Sequence, residues 1–187
     1  MNIATKAMPD NTVQKADLRR ELLACRQAID AEVRRSRDQL IAGQVVAWWM
    51  QERPSCLGVY MPMRAEPDLQ AAYAELSALG AKFALPIVTA KDAPLTFIAW
   101  APGDALTKDA FGVLVPVSGE VVQPDALLIP CVGFDANRYR LGYGGGFYDR
   151  TLAAKPRPVA VGIAYACMRT RFEADPYDVP MDRMITD

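Results

Sequence analysis

From Lys15 onward, apolar residues recur every three or four positions. Leu18, Leu22, Cys25 and Ile29 form a stripe that predicts a helix. Residues 1–14 are polar and predict a disordered extension. Asp30 has the side chain of a helix N-cap, and Val33, Leu40, Ile41, Val45 and Trp48 predict the inward face of a second helix. Its expected end is Trp49 or Met50, ahead of Pro54. Residues 56–61 read as a short buried strand followed by a loop. A helix capped by Asp68 then runs to Leu79, closed by Gly80. Apolar runs at 82–88, 95–100, 125–130 and 158–165 predict further strands, 147–154 a helix, and the tail an irregular segment with one last short strand. Solid apolar strands alternating with helices imply an α/β fold whose mainly parallel sheet is covered on both faces. No repeat or linker interrupts the pattern, so residues 15–187 are expected to form one domain.

Composition narrows the chemistry. Among 187 residues there is no histidine, which excludes imidazole bases, Ser-His-Asp and Cys-His catalysis and His-ligated zinc. Lys and Arg number 21 against 22 Asp and Glu, a net charge of −1 that favours no nucleic-acid partner. The longest uncharged run, Gln39 to Gln51, is thirteen residues and too short to span a bilayer, and the N-terminal stretch does not read as a secretory signal. Cys25, Cys56, Cys131 and Cys167 are widely spaced, which suits reduced, buried thiols and a cytoplasmic protein.

The densest feature is residues 129–150. An apolar strand enters a loop holding Gly142, Gly144, Gly145 and Gly146, and a helix follows at once. Glycines let successive backbone N–H groups converge, and the helix start adds its unsatisfied N–H groups, so the pattern predicts phosphate binding at the carboxyl edge of the sheet. Arg138, Arg140 and Arg150 flank it. No Lys follows the glycines as in GxxxxGK[ST], and Phe147 stands where GxGxxG needs its third glycine.

The chain resembles the 5-formyltetrahydrofolate cyclo-ligase (5,10-methenyltetrahydrofolate synthetase) family. The resemblance lies in Phe134 and Asp135 followed by Arg140, Leu141, Gly142, Tyr143, Gly144, Gly145, Gly146, Phe147, Tyr148, Asp149 and Arg150. It extends to Lys15 and Arg19 in the first helix, to Tyr60 through Glu66 and Asp68, and to Asp178 through Asp182. Gly145 departs from members that carry Lys there, and Phe147 from those with Tyr. The resemblance implies a single-domain Rossmann-like three-layer fold, similar to the NagB/RpiA/CoA-transferase-like group. It also implies use of ATP and Mg²⁺ to convert 5-formyltetrahydrofolate into 5,10-methenyltetrahydrofolate, by phosphorylation of the formyl oxygen and attack by N10.

By the same resemblance, Lys15 and Arg140 are expected to be catalytic. Lys15, Arg19 and residues Arg140 to Tyr148 are expected to bind ATP. Met61, Glu66, Tyr143, Gly144, Gly145, Gly146 and Phe147 are expected to contact the folate, and Asp149 and Asp178 to hold the metal, with Asp182 a nearby substitute. A monomer or weak homodimer acting on a small molecule, away from nucleic acid and membrane, is the corresponding expectation. Trp100, Phe134 and Tyr165 are candidates for stacking on a ligand, with core packing the simpler reading. Two other readings remain open at this point: a catalytically silent nucleotide- or folate-binding regulator on the same fold, and an enzyme of the sugar-phosphate isomerase or CoA-transferase type.

Overall fold

A computed structural model describes residues 11–110 and 112–187. The chain opens with two helices, α1 (Asn11–Gln27) and α2 (Ala31–Glu52). It continues through β1 (Leu57–Gly58), α3 (Gln70–Ala78), β2 (Phe83–Ile87), β3 (Thr96–Trp100), β4 (Leu106–Lys108), β5 (Leu114–Pro116) and β6 (Val121–Val122). Then come β7 (Ala126–Pro130), β8 (Gly133–Phe134), β9 (Arg140–Leu141), α4 (Phe147–Ala153), β10 (Val159–Ile163), a 3₁₀ turn (Ala166–Met168) and β11 (Arg183–Ile185). Seven strands make the central sheet in the order β11-β10-β7-β1-β2-β3-β6. Neighbours from β11 to β2 are parallel, while β3 and β6 run antiparallel at one edge. This is the expected α/β architecture with a mainly parallel sheet.

Strand residues alternate between two cores, as the pleat requires. Leu57, Leu85, Leu128, Val161 and Ile163 pack beneath Ile41, Val45, Trp48 and Trp49 of α2 and Tyr73 and Leu76 of α3. Ala84, Leu127, Ile129 and Ala160 face Leu152 of α4 and Met181 on the other side. Burial on both faces explains why these strands read as unbroken apolar runs.

Several boundaries differ from the sequence reading. α1 begins at Asn11, so residues 11–14 are helical rather than part of an extension, and the rest of that expected extension lies outside the described residues. Asp30 caps α2 as expected, accepting from Glu32 N at 2.8 Å and Val33 N at 3.2 Å. Val33 and Leu40, expected inside, are 45% and 57% exposed. The inward face of α2 is set by Ile41, Val45, Trp48 and Trp49, and neither residue lies on it. Only Leu57 and Gly58 of the strand expected at 56–61 lie in the sheet, because the chain turns away after Val59 to build a loop. Of the four cysteines only Cys131 is buried. Cys25 and Cys167 are exposed and Cys56 is half-buried, which corrects the expectation of buried thiols throughout. No helix among the described residues is long and apolar enough to cross a membrane.

Candidate active site

The parallel strands end on one edge, and the loops after β1 and β7 meet α1 there. Lys15, Arg19, Leu22 and Arg26 fall within about 60° on the α1 surface at 3.6 residues per turn. That face points inward: Lys15 is 5% exposed and Arg26 only 1%. A solvated charged face, the simplest reading of Lys15 from spacing alone, is therefore excluded.

Lys15 Nζ lies 2.6 Å from Asp175 Oδ2 and 2.9 Å from Asp178 Oδ2. Burial alone would lower its pKa, but the hydrogen bonds and charges of the two aspartates outweigh that and leave it raised. Arg19 Nε donates to Gly142 O at 2.8 Å and so ties α1 to the glycine-rich loop.

The loop is launched by the β8–β9 hairpin. Asp135 Oδ1 accepts from Asn137 N at 2.9 Å and Tyr139 N at 2.8 Å, so this motif residue shapes the turn. Gly144 and Gly146 have φ of 95° and 65°, conformations that side chains rarely adopt. Arg150 Nη2 donates to Gly145 O at 2.6 Å and its Nε to Ala93 O at 3.1 Å. Arg138 Nη1 donates to Asp182 O at 3.2 Å. Both arginines therefore brace backbone carbonyls.

Arg140 and the two expected metal ligands form one connected set. Arg140 Nη2 pairs with Asp149 Oδ1 at 2.8 Å, and Arg140 Nη1 donates to Val179 O at 3.0 Å. Val179 N donates to Asp149 Oδ1 at 3.1 Å, which brings Asp178, its chain neighbour, beside Asp149. Asp182 is engaged elsewhere: its carboxylate holds Arg157 Nη1 at 2.9 Å and Ala160 N at 2.7 Å, so it does not substitute in this set. The Arg140 guanidinium also lies over the Tyr148 ring at 5.9 Å.

Glu66 sits in the loop after β1, 3% exposed. Tyr60 OH donates to Pro67 O at 2.8 Å, and Arg64 and Ala65 take left-handed φ of 48° and 60°, so the loop is tightly determined. Glu66 Oε2 accepts from Met63 N at 3.0 Å, and Oε1 accepts from Tyr143 OH at 2.5 Å. Burial raises the Glu66 pKa, opposed by these hydrogen bonds and by Arg26 and Arg64. Met61 is buried at the start of the same loop, and Trp100, Phe134 and Tyr165 are core residues. A cleft of about 420 Å³ opens beside Glu66, lined among others by Arg34, Arg35, Arg64 and Asp38.

The structure thus gathers Lys15, Arg19, Arg140, the glycine loop, Asp149 and Asp178 on one side, with Glu66 and Tyr143 adjoining. Three participants were absent from the sequence reading: Arg26, Asp175 and the Tyr143–Glu66 contact. Arg26 carried a signal, since it lies seven and eleven residues beyond Arg19 and Lys15 on one helical face. Asp175 and the Tyr143 contact carried none.

An apolar-cored sheet edge bearing guanidinium groups, an ammonium and a glycine loop that opens a helix is an α/β arrangement whose chemistry suits an anionic ligand. The profile of the 5-formyltetrahydrofolate cyclo-ligase family matches residues 11–187. The 5-formyltetrahydrofolate cyclo-ligase of Mycoplasma pneumoniae is 31% identical over 178 residues, covering 94% of this chain and 99% of its own. That of Mycolicibacterium smegmatis is 30% identical over 183 residues, covering 92% and 93%. The solved 5,10-methenyltetrahydrofolate synthetase of Aquifex aeolicus superposes with a TM-score of 0.79 at 29% identity, over 92% of this chain and 89% of that one. The chain belongs to the 5-formyltetrahydrofolate cyclo-ligase family.

Proposed function

We propose that the protein closes 5-formyltetrahydrofolate to 5,10-methenyltetrahydrofolate, consuming ATP and releasing ADP and phosphate. The observation that carries this reading is the family match over residues 11–187, whose motif residues, far apart in sequence, meet at one sheet edge. A formamide is a poor electrophile with a poor leaving group. Moving the γ-phosphoryl group of ATP to the formyl oxygen releases ADP and converts that oxygen into a phosphate ester. N10 then bonds to the formyl carbon, and phosphate departs with the oxygen and takes up the proton that N10 gives up. The protein's task is positioning and charge stabilisation, for which no histidine is required.

Lys15, Arg19 and Arg140 are the cations that hold and stabilise the phosphates, with the N–H groups of the glycine loop. Asp149 and Asp178 fit a hard divalent ion. Each has one oxygen outside its ion pair, and Mg²⁺ is held by one or two carboxylates together with nucleotide phosphates. No group of three or more metal-binding side chains occurs among the described residues, so the remaining ligands would be phosphate oxygens and water. Mg²⁺ bound there would neutralise phosphate charge. Glu66 accepts hydrogen bonds from the pterin amino and ring N–H groups, and Met61 lines the pocket wall. A monomer or weak homodimer with reduced thiols, working in the cytoplasm, completes the reading.

Incubation with 5-formyltetrahydrofolate, ATP and Mg²⁺ is expected to raise the near-ultraviolet absorbance of the methenyl product, and omitting either ATP or the metal to abolish the rise. Folate binding with no absorbance change would instead identify a silent regulator. Glu66→Gln is expected to weaken folate binding about tenfold or more, the loss of a charge-assisted hydrogen bond, while the ATP affinity measured separately by calorimetry stays within about twofold.

A further inference from the structure

Among the described residues Arg26 is the one fully buried cation, and such a group is rarely tolerated without compensation. Its Nε donates to Arg64 O at 3.1 Å, Nη1 to Cys131 O at 3.3 Å and Nη2 to Tyr143 OH at 2.7 Å. All three acceptors are neutral. The nearest carboxylate is Glu66, with Oε1 4.0 Å from Nη2 and the Tyr143 hydroxyl bonded to both. One guanidinium therefore joins four pieces of chain: α1, the loop after β1, the end of β7 and the glycine-rich loop.

We propose that Arg26 is a positioning residue that, through Tyr143, aims the Glu66 carboxylate at the folate and registers the glycine loop against it. The assignment rests on the reading of Glu66 as the folate's acceptor. The groups that act on Glu66 are Arg26 from α1, Arg64 and Tyr60 from its own loop, Tyr73 of α3, Cys131 after β7, and Tyr143 and Tyr148 from the glycine loop and α4. Burial pushes the Cys131 thiol up to about 12 and each of these tyrosines upward as well, so near neutral pH only the two arginines are charged. Arg64 is exposed and solvated, whereas Arg26 is not. Arg26 is thus the desolvated cation that, beside the hydrogen bonds from Tyr143 and Met63, favours the carboxylate form of Glu66 against the upward push of burial. A neutral Glu66 would leave Arg26 uncompensated in turn.

Steady-state kinetics on Arg26→Met, Arg26→Lys and Tyr143→Phe, from about pH 6 to 9, test this. Arg26→Met is expected to raise the folate KM about tenfold at neutral pH, with kcat and the ATP KM changed less than about threefold. Its KM should climb more steeply than that of the unaltered chain as pH falls, because Glu66 then protonates earlier, and should recover toward high pH. Arg26→Lys keeps the charge and is expected to restore much of the affinity. Should Arg26→Met fail to fold, Tyr143→Phe leaves Arg26 in place, and its folate KM should still rise several-fold. A purely structural role predicts a pH-independent loss shared by kcat and both KM values, with no recovery in Arg26→Lys, and that result overturns the inference. The unaltered chain's own turnover tests the functional reading separately: activity there with insensitive variants sinks only the role of Arg26. Absence of turnover and of folate binding in the unaltered chain sinks both.

Discussion

Asp149→Asn is expected to lower kcat by about two to three orders of magnitude while leaving the fold in place, the effect of removing one charge from a preorganised site. The carboxylate does two things in the structure. It neutralises Arg140, whose side chain is only 5% exposed, and it accepts the Val179 N–H that brings Asp178 alongside. Asparagine keeps the shape and one acceptor, so Val179 stays tethered, but the negative charge is gone. Arg140 then lacks its counterion, and any divalent ion loses a hard anionic ligand. Turnover measured across a Mg²⁺ titration, with a thermal melt of the same sample, separates the outcomes. A normal melt with much lower kcat and a raised Mg²⁺ requirement supports the assignment, whereas wild-type rate at limiting Mg²⁺ means that Asp149 is not a ligand. Asp149→Ala should be worse on both counts, since it also releases the Val179 N–H.

The glycine loop, the buried strand before it and the cap of α2 were legible because their signals are local. Gly142 to Gly146 lie within five positions, strand 126–130 is uniformly apolar, and Asp30 precedes a helix whose second and third amides it caps. Legibility failed wherever a residue's role is set by a distant partner. The Tyr143 hydroxyl meets Glu66 across 77 residues and Arg26 across 117. Neither separation leaves a periodic trace, so Tyr143 was expected at the ligand by resemblance alone, and its bonds to Glu66 and Arg26 were not. Arg26 shared a face with Lys15 and Arg19, but hydropathy reasoning places arginine outward by default, and burial of that face becomes visible only once the loops after β1 and β7 close over it. The cysteines mislead for the converse reason: Cys25 sits in an apolar stripe, yet the helix turns its charged face inward and leaves the thiol exposed. Hydropathy alone cannot distinguish a core-facing stripe from a ligand-facing one, because both satisfy the same helical period.

Lys15→Met is expected to cost about two orders of magnitude or more in kcat/KM, and to lower the melting temperature by about 3–6 °C. The thermal effect follows from the ion pairs. Lys15 is buried, but Asp175 is 50% exposed and Asp178 22%, so solvent compensates the stranded carboxylates in part and the loss is about 1–2 kcal/mol rather than that of a fully buried pair. The raised Lys15 pKa means that this contribution is fully present below the unfolded-state value of about 10.4 and is lost as pH rises through the folded one. Hydrogen bonding to Lys15 holds the Asp175 pKa below its ordinary value, so its share is present above about pH 4 and fades as pH falls through the depressed value. Adding Asp175→Asn to Lys15→Met removes one of the two facing carboxylates and is expected to recover part of the melting temperature. Activity should stay low in the double variant, because its phosphates still lack the ammonium. Recovery of both together would reduce Lys15 to a fastener between α1 and the C-terminal segment. Recovery of stability alone marks it as a residue that the chemistry uses.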